Sequence, residues 1–184
     1  MSKKTFPCGC SFDLTANGRI NYVPNIEELP LDCSSTWDLI CDGNTKGIFQ
    51  LESRLGRSMA EKVRPRNIEE LSDLIAVIRP GTLESKMDGK SLTQHYIDRK
   101  HKLDPVEYFH GALEPILSGT YGILVYQEQA LMIARDIAGF DLQEADILRK
   151  SIGKKNVKMM ASLKKRFVEG ASTKENSDVT VEQA

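Results

Sequence analysis

Apolar residues recur at helical spacing through most of the chain beyond residue 31. The pattern is clearest in residues 67–81, NIEELSDLIAVIRPG. Its apolar positions, three or four residues apart, are Ile68, Leu71, Leu74, Ile75 and Ile78. This spacing predicts a helix with one buried face that ends at Pro80-Gly81 and leaves Arg79 at its C-terminus.

Between residues 32 and 140, predicted helices alternate with short breaks. Helices are predicted for residues 32–43, 92–102, 113–117 and 130–137, the first starting at the capping residue Asp32 and ending at Gly43, the last ending at Gly139. Residues 47–53 (GIFQLES) and 123–126 are expected to be short extended pieces, and residues 82–90 (TLESKMDGK) an exposed loop.

Residues 141–167 predict two helices joined by a basic loop. Asp141 and Glu144 have the spacing of a capping box for the first helix, which Ser151-Ile152-Gly153 is expected to break. Asn156 can cap the second helix. The residues predicted to face the core are Leu142, Ala145, Ile147 and Leu148 in the first helix and Val157, Met160, Leu163 and Phe167 in the second.

The first 31 residues differ from the rest, because they are rich in turn-forming residues. Two short extended pieces, around Phe12 and at residues 20–23, flank Asn17-Gly18 and predict a hairpin. We therefore predict a mainly α fold with three parts. They are a β-hairpin and loop appendage at 1–31, a helical domain at 32–171, and a polar tail at 172–184.

Composition limits the class of protein. The chain has 184 residues, of which 40% are hydrophobic and 28% charged, with a net charge of −1. This fits a globular domain with a real core and excludes a polycation that coats nucleic acid indiscriminately. No apolar run approaches the length of about 20 residues that a membrane span needs, and no secretory signal follows Met1, so we expect a cytoplasmic protein without membrane contact.

The four cysteines all lie in the first quarter of the chain. They are Cys8, Cys10, Cys33 and Cys41. Their number and clustering do not suit a disulfide-dense secreted domain. A zinc site is one interpretation, but spacings of one and seven positions depart from the usual ligand pairs. The favoured interpretation is reduced cysteines, with Cys33 and Cys41 on an apolar helix face and no bound metal.

The segment 145–167 carries eight Lys or Arg, and no acidic residue lies between Asp146 and Glu169. Four of these cations, Arg149, Lys150, Lys154 and Lys155, are predicted to converge near a helix N-terminus, whose free N–H groups also attract anions. The pattern therefore predicts either a phosphate site or, as charge runs often do, a solvated face of a helical hairpin.

Several longer motifs occur together in one order. They are GIFQLES at 47–53, IRPG at 78–81, YIDRKH at 96–101, LEPILSGTYGILVYQEQ at 113–129 and ADILRKSIGKK at 145–155. In order and approximate spacing they resemble the fingers domain of the α subunit of bacterial DNA polymerase III, a C-family replicative polymerase. The resemblance runs from about Thr36 to Ala171. The first 31 residues look more like a phage-type version of the family.

The resemblance implies a helical fingers domain that binds an incoming dNTP and the template-primer. The family's triphosphate-binding segment corresponds to Arg149, Lys150, Gly153, Lys154 and Lys155. Lys150 stands where the family usually has a second arginine, so bidentate pairing to phosphate is lost there.

Three other residues match family positions near the same cleft. They are Arg79, Gln127 and Glu128. For Gln127 and Glu128, a structural hydrogen-bonding role inside the domain is an equally open interpretation.

The resemblance also implies that the catalytic residues lie elsewhere. In this family two Mg²⁺ ions are held by palm aspartates, and no Asp-x-Asp pair occurs in the sequence. We therefore expect a fingers module, partial with respect to the family, that is active only with a palm on another chain and whose partners are that palm-containing chain or other replisome components. The alternatives are a non-catalytic nucleic-acid-binding or replisome-regulating protein derived from such fingers, and a helical phosphate-binding or adaptor protein unrelated to replication.

Overall fold

The computed structural model describes residues 3–5, 11–14, 16, 30–154, 157–173 and 179–180. Helices dominate this part of the chain, which confirms the mainly α class predicted from periodicity. The chain divides into two compact units, one ending at Gly81 and the other beginning at Thr82. The boundaries predicted at residues 31 and 171 stay a prediction.

The amino-terminal strands pair differently from the predicted hairpin. β1 (Lys3–Thr5) lies antiparallel to β2 (Ser11–Asp13), with Lys4 opposite Phe12. The extended piece around Phe12 is thus present, but its partner precedes it in the chain. The proposed turn at Asn17-Gly18 and the piece at residues 20–23 lie outside the described residues.

The helices of the first unit are α1 (Ser34–Cys41), α2 (Arg54–Val63) and α3 (Ile68–Val77). They enclose a core formed by Trp37, Ile40, Cys41, Leu51, Ala60, Val63, Leu74, Ala76 and Val77. The N-cap of α1 is Cys33, without a side-chain cap, rather than the predicted Asp32. Helix α2 was not anticipated, although Ser53, whose hydroxyl accepts from the Gly56 N–H at 3.0 Å, gives it a normal start.

Two expectations for the first unit were wrong in detail. Residues 47–53 form turns instead of a strand, because Gly47 and Gln50 have φ values of 81° and 63°, which an extended strand excludes. Helix α3 buries only its C-terminal half, through Leu74, Ala76 and Val77. Ile68, in its first turn, is 42% exposed, so the predicted face is not buried along its whole length.

The second unit contains most of the later elements. They are β3 (Lys86–Met87), β4 (Lys90–Ser91), α5 (Leu92–Lys100), α6 (Glu114–Leu117), α7 (Gln127–Asp136), α8 (Leu142–Lys154) and α9 (Val157–Thr173). A short helix, α4 (Pro80–Glu84), spans the division between the units. The predicted helices at 92–102, 113–117 and 130–137 are therefore confirmed.

Residues 82–90 are more ordered than the loop that the sequence predicted. They begin in α4 and continue into the β3–β4 hairpin, in which Met87 pairs with Lys90. Its turn residues Asp88 and Gly89 have φ values of 50° and 82°. Asp-Gly is a standard signal for such a tight hairpin, so the turn could have been found from the sequence.

Residues 123–126 are not a strand. The side-chain oxygen of Gln129 accepts hydrogen bonds from the N–H groups of Val125 and Tyr126, at 3.0 and 3.1 Å. The Gln129 side chain thus accepts the hydrogen bonds that a neighbouring strand would otherwise accept. Ile123 is still buried in the core of the second unit, as its hydrophobicity suggests.

The course of α8 corrects the prediction that places a helix break before the basic loop. It continues through Ser151-Ile152-Gly153 to Lys154, where the sequence predicted a break. The Ser151 hydroxyl donates to the Ile147 carbonyl at 2.7 Å, and the space beside Gly153 is open. Neither residue therefore forces the backbone out of helical geometry. The capping box at the start of α8 is confirmed, since Asp141 accepts from the Glu144 N–H and Glu144 accepts from the Asp141 N–H.

The core of α7, α8 and α9 uses only part of the predicted apolar face. Its buried members are Ala134, Ile137, Ala138, Phe140, Leu163, Ala171 and Val179, with Leu148 and Phe167 packed against them. Leu142 and Val157 were predicted to face the core, but they are 86% and 80% exposed. Ile147 and Met160 are also exposed.

Gly170 lets α9 approach the end of α7 closely. A Cβ atom at Gly170 would lie 2.1 Å from the Ala138 carbonyl oxygen, a distance that no side chain tolerates. The close approach buries Ala171 completely. Gly170 therefore fixes how closely α9 packs in the second unit.

Candidate functional site

Three cations of the predicted phosphate site, Arg149, Lys150 and Lys154, lie in the last two turns of α8, and we call the surface they share the α8 basic face. Because α8 is continuous, Lys150 and Lys154 are separated by one helical turn, a rise of about 6 Å. The side chains of Arg149 and Lys150 are 51% and 60% exposed. The α8 basic face is thus a solvent-accessible row of charge.

Asp146 pairs with two of these cations. Its carboxylate accepts from Arg149 Nη2 at 2.7 Å and lies 2.6 Å from Lys150 Nζ. Lys150 and Arg149 together lower the pKa of Asp146 below its ordinary value. The sequence suggested a run of positive charge without nearby acids. In the structure Asp146, at the start of that run, partly neutralises the charge, because its one carboxylate pairs with two cations.

The predicted helix-end geometry is only partly present. Arg149 and Lys150 lie inside α8, where backbone N–H groups are used by the helix, rather than beside free N–H groups. Lys154 is the last residue of α8 and is exposed. Lys155 and the proposed cap Asn156 lie outside the described residues.

Arg166 of α9 holds the start of α8 in place. Its guanidinium forms two hydrogen bonds with the Glu144 carboxylate, at 2.7 and 3.1 Å. It also donates to the carbonyls of Ala138 and Gly139, both at 3.3 Å, and lies 5.1 Å from the centre of the Phe140 ring. The position of the α8 basic face thus depends on a contact that the sequence gave no reason to single out.

Arg79 lies in the first unit, in the bend between α3 and α4. The prediction that it sits at a helix C-terminus is confirmed, since α3 ends at Val77 with Ile78 as its C-cap. Pro80-Gly81, which were expected to end that helix, instead begin α4. Its side chain is exposed. Its membership in a common site with the α8 basic face stays a prediction.

Gln127 and Glu128 are the first two residues of α7, and both are exposed. The structural hydrogen bonds that were considered for them are formed by the next residue, Gln129, which is 8% exposed. Besides accepting from two backbone N–H groups, Gln129 donates to Thr120 Oγ1 at 2.8 Å and to the Ile116 carbonyl at 3.4 Å. A nucleotide contact by Gln127 or Glu128 stays a prediction.

The cysteines fall into a described pair and an undescribed pair. Cys41 is fully buried at the end of α1, and its thiol donates to the Pro65 carbonyl at 3.3 Å. Burial is the main cause that raises the pKa of this thiol. Cys33 is half-buried, and Cys8 and Cys10 lie outside the described residues. Zinc binding by the four cysteines and the alternative of reduced, metal-free cysteines therefore both stay predictions.

In the described part of the chain, no three His, Cys, Asp or Glu residues are grouped as a metal site would require. Within the same residues, every helix is too short or too polar to cross a membrane.

The chain matches a known protein family over most of its length. Residues 12–175 match the family model for the bacterial DNA polymerase III alpha subunit finger domain. This confirms the resemblance read from the motifs. The matched range begins well before Thr36 and so includes much of the segment for which a phage-type version was expected.

Curated relatives show the same similarity. The DNA polymerase III subunit alpha of Aquifex aeolicus (strain VF5) is 44% identical over 147 residues, which are 80% of this chain and 12% of that protein. The protein of that name from Helicobacter pylori (strain 26695) is 42% identical over 143 residues, 78% of this chain and 11% of that protein.

The DNA polymerase III subunit alpha of Staphylococcus epidermidis (strain RP62A) is 40% identical over 152 residues, 83% of this chain and 14% of that protein. The chain therefore spans about one seventh or less of the length of these relatives. With a family match that covers most of its residues, this chain belongs to the finger-domain family of the bacterial DNA polymerase III alpha subunit.

Proposed function

We propose that this chain serves DNA replication as the fingers of a C-family DNA polymerase, in the cytoplasm of a bacterial or phage-infected cell. In this role it binds template-primer and holds the triphosphate of the incoming dNTP along the α8 basic face. The observation that carries the proposal is the exposed row of Arg149, Lys150 and Lys154 in a chain of this family. We include Lys155 in the proposal because it matches the family's triphosphate-binding segment.

The chemistry of the row suits a polyphosphate. Three cations accompany one carboxylate, so the face keeps a net positive charge after Asp146 is counted. A guanidinium binds two phosphate oxygens at once, whereas an ammonium acts as a point charge. We therefore assign Arg149 the orienting contact and the lysines a mainly electrostatic contribution.

Asp146 has a specific part in this proposal. Without nucleotide it holds Arg149 and Lys150 at hydrogen-bonding distance from its carboxylate. A phosphate group offers the same cations more oxygens and more charge. The nucleotide would therefore displace Asp146 as the partner of Arg149.

Catalysis requires carboxylates beyond this face. Phosphoryl transfer by two Mg²⁺ ions needs convergent acids about 4 Å apart. We propose that a palm outside these 184 residues supplies both the acids and the ions. The isolated chain should accordingly bind nucleotide without extending a primer, and primer extension by the purified chain would refute this part of the proposal.

Thermal melting with and without dATP tests the triphosphate site. At about 100 times its dissociation constant, the nucleotide should stabilise the chain by roughly 2.7 kcal/mol relative to sodium chloride of equal ionic strength. Arg149→Ala should remove most of that gain. Lys165→Ala, which removes one charge from α9 where the side chain is 81% exposed, should keep it. Equal effects of the two variants, or no gain beyond salt, would refute the site.

A further inference from the structure

Phe49 is an exposed aromatic residue in the turns that precede α2 in the first unit. We call this segment the Phe49 turn (residues 46–53). The Phe49 side chain is 81% exposed, and the flanking residues Gly47 and Gln50 both have left-handed backbone conformations. A single exposed apolar side chain is common at protein surfaces, but here the backbone that carries it is locked by buried contacts.

Hydrogen bonds fix the chain on both sides of Phe49. The fully buried Thr45 hydroxyl donates to the Leu51 carbonyl at 2.5 Å, and Leu51 is itself only 1% exposed. The Ile48 carbonyl accepts from the N–H groups of Leu51 and Glu52, at 3.0 and 3.1 Å. The turn therefore has little freedom to fold Phe49 back onto the surface.

The backbone at Gln50 adds to this rigidity. Its φ value of 63° is uncommon for a residue other than glycine. A Cβ atom at Gly56 would lie 2.4 Å from the Gln50 carbonyl oxygen, so the Phe49 turn packs directly against α2. Strained backbone persists where its surroundings fix it, and it is concentrated at functional sites.

Three exposed cations lie in the Phe49 turn or in the first half of α2. They are Lys46, Arg54 and Arg57. The Arg57 Nε–H donates to the Glu52 carbonyl oxygen at 3.2 Å, which holds this guanidinium against the turn. Because Glu52 is the one acid in residues 46–57, this stretch has a net charge of +2. The next acid on α2, Glu61, is four positions beyond Arg57, about 6 Å further along the helix.

We propose that Phe49 stacks on an unpaired base of a DNA single strand. Lys46, Arg54 and Arg57 pair with phosphates of the same strand. Proteins hold single strands in this way, since every base has a π face for an aromatic side chain and cations follow the backbone. The strand is the template, an assignment that rests on the function proposed above. The α8 basic face belongs to the second unit and takes no part in it.

The surroundings of Phe49 favour a nucleic acid over a protein partner. Surfaces that bind proteins bring several apolar side chains together and are depleted in charge at their centre. Of the residues in the Phe49 turn, all of which the structure describes, Phe49 alone is a large exposed hydrophobic residue. The next one, Leu55, is 45% exposed and stands between Arg54 and Arg57 in the sequence.

Tryptophan fluorescence in a Phe49→Trp variant of the full chain detects stacking directly. The chain has one tryptophan of its own, Trp37, which is 6% exposed, so the added indole reports on the surface. Oligo(dT) of about eight nucleotides should quench the added fluorescence, because a base then stacks on the indole. An abasic strand with the same number of phosphates should leave it unchanged.

Binding of labelled oligo(dT), followed by fluorescence anisotropy, measures the contribution of the ring. Phe49→Leu should weaken binding roughly fivefold to 150-fold, the range for one stacked base. Phe109→Leu is the matched control, because Phe109 is 85% exposed but lines an apolar cavity of the second unit. That variant should bind as the original chain does. Both side chains are exposed, so neither substitution should alter folding.

The salt dependence of the same binding separates stacking from charge. Arg54→Gln should reduce the slope of log affinity against log salt concentration by about 0.7, the value for one phosphate contact with a single strand. Phe49→Leu removes no charge and should leave this slope unchanged. An unchanged slope in Arg54→Gln would remove Arg54 from the proposed site.

The outcomes distinguish this site from the function on which it rests. Failure of the chain to bind oligo(dT) at all would refute template binding and the stacking together. Binding that is unaffected by Phe49→Leu, or equal binding of the abasic strand, would overturn the stacking alone. Phe49→Leu should keep the stabilisation by dATP that Arg149→Ala is expected to lose, so the triphosphate site is tested separately.

Discussion

Arg166 and Glu144 connect α9 to the first turn of α8 through two hydrogen bonds, and the same Glu144 closes the capping box of α8. The Glu144 carboxylate thus caps the N-terminus of α8 and also binds α9. Since α8 carries the row of cations proposed to meet the nucleotide, the position of that row depends on this pair.

Arg166→Met should destabilise the chain by about 1–2 kcal/mol, because it removes a bidentate ion pair and two bonds to carbonyls at the end of α7. Urea denaturation followed by circular dichroism measures the change. Lys165→Met is the matched control, since the Lys165 pair with Glu169 is long, at 3.8 Å, and exposed. Equal losses in the two variants would mean that the Arg166 contacts contribute nothing specific.

The same pair predicts how stability depends on pH. Arg166, with a further contribution from the Asp141 N–H, lowers the pKa of Glu144 in the folded chain. A lowered folded pKa adds stability that is complete above the unfolded value of about 4.3 and is lost as the pH falls through the folded pKa. The free energy of unfolding of Glu144→Gln should therefore decline less steeply below pH 4.3 than that of the original chain. Parallel curves would contradict this assignment.

Replacement of two glycines in neighbouring helices by alanine should change the stability of the chain in opposite directions. Gly170→Ala should cost about 1–3 kcal/mol or more, because its Cβ would overlap the Ala138 carbonyl. Gly153→Ala should stabilise the chain by roughly 0.5–1 kcal/mol, since Gly153 is helical and the space beside it is open. Thermal melting measures both. Destabilisation by Gly153→Ala would instead support the helix break that the sequence predicted.

The success of the sequence predictions differs between elements for physical reasons. The helix α5 and the capping box of α8 depend on local spacing, so the apolar pattern of residues 92–102 revealed the first and the spacing of Asp141 and Glu144 the second. The break predicted at Gly153 was wrong because a glycine lowers helix stability without ending a helix unless another arrangement takes the carbonyls. The strand predicted at 123–126 was wrong because Gln129, a residue of the next helix, takes its donors.

For the candidate site, proximity in the sequence identified Arg149, Lys150 and Lys154. It did not predict how far an acidic residue neutralises their charge. Asp146 was treated as the edge of the basic run, yet helical spacing of three and four positions brings it to both Arg149 and Lys150. The role of Arg166 was not predictable, since its partner lies 22 positions earlier and the contact exists only after α8 and α9 pack.

Gln129 should matter for stability where Gln127 does not. Gln129→Ala should cost about 1–3 kcal/mol, because it leaves the N–H groups of Val125 and Tyr126 and the hydroxyl of Thr120 without this partner. Gln127→Ala, at an exposed position in the same helix, should change stability by no more than about 0.5 kcal/mol. Chemical denaturation separates the two. A comparable loss in Gln127→Ala would indicate a structural role for the exposed residue.

Asp146→Asn should strengthen triphosphate binding, because it removes the carboxylate that competes with phosphate for Arg149 and Lys150. The expected gain is about 1 kcal/mol, or roughly fivefold in the dissociation constant of dATP, as for one unit charge a few ångströms away in water-like surroundings. Titration calorimetry without Mg²⁺ at fixed ionic strength measures it. The ligand-free stability should change by less than about 1 kcal/mol, since the pairs are exposed.

Glu169→Gln provides the matched control, because it removes the same charge from the exposed Lys165 pair on α9. If nucleotide binding reflects only the net charge of the chain, both variants should bind dATP more tightly by the same factor. If the α8 basic face is the site, Asp146→Asn alone should show the full gain, and Arg149→Ala should cancel it in the double variant. Weaker binding by Asp146→Asn would mean that Asp146 orients Arg149 toward the nucleotide instead of competing with it.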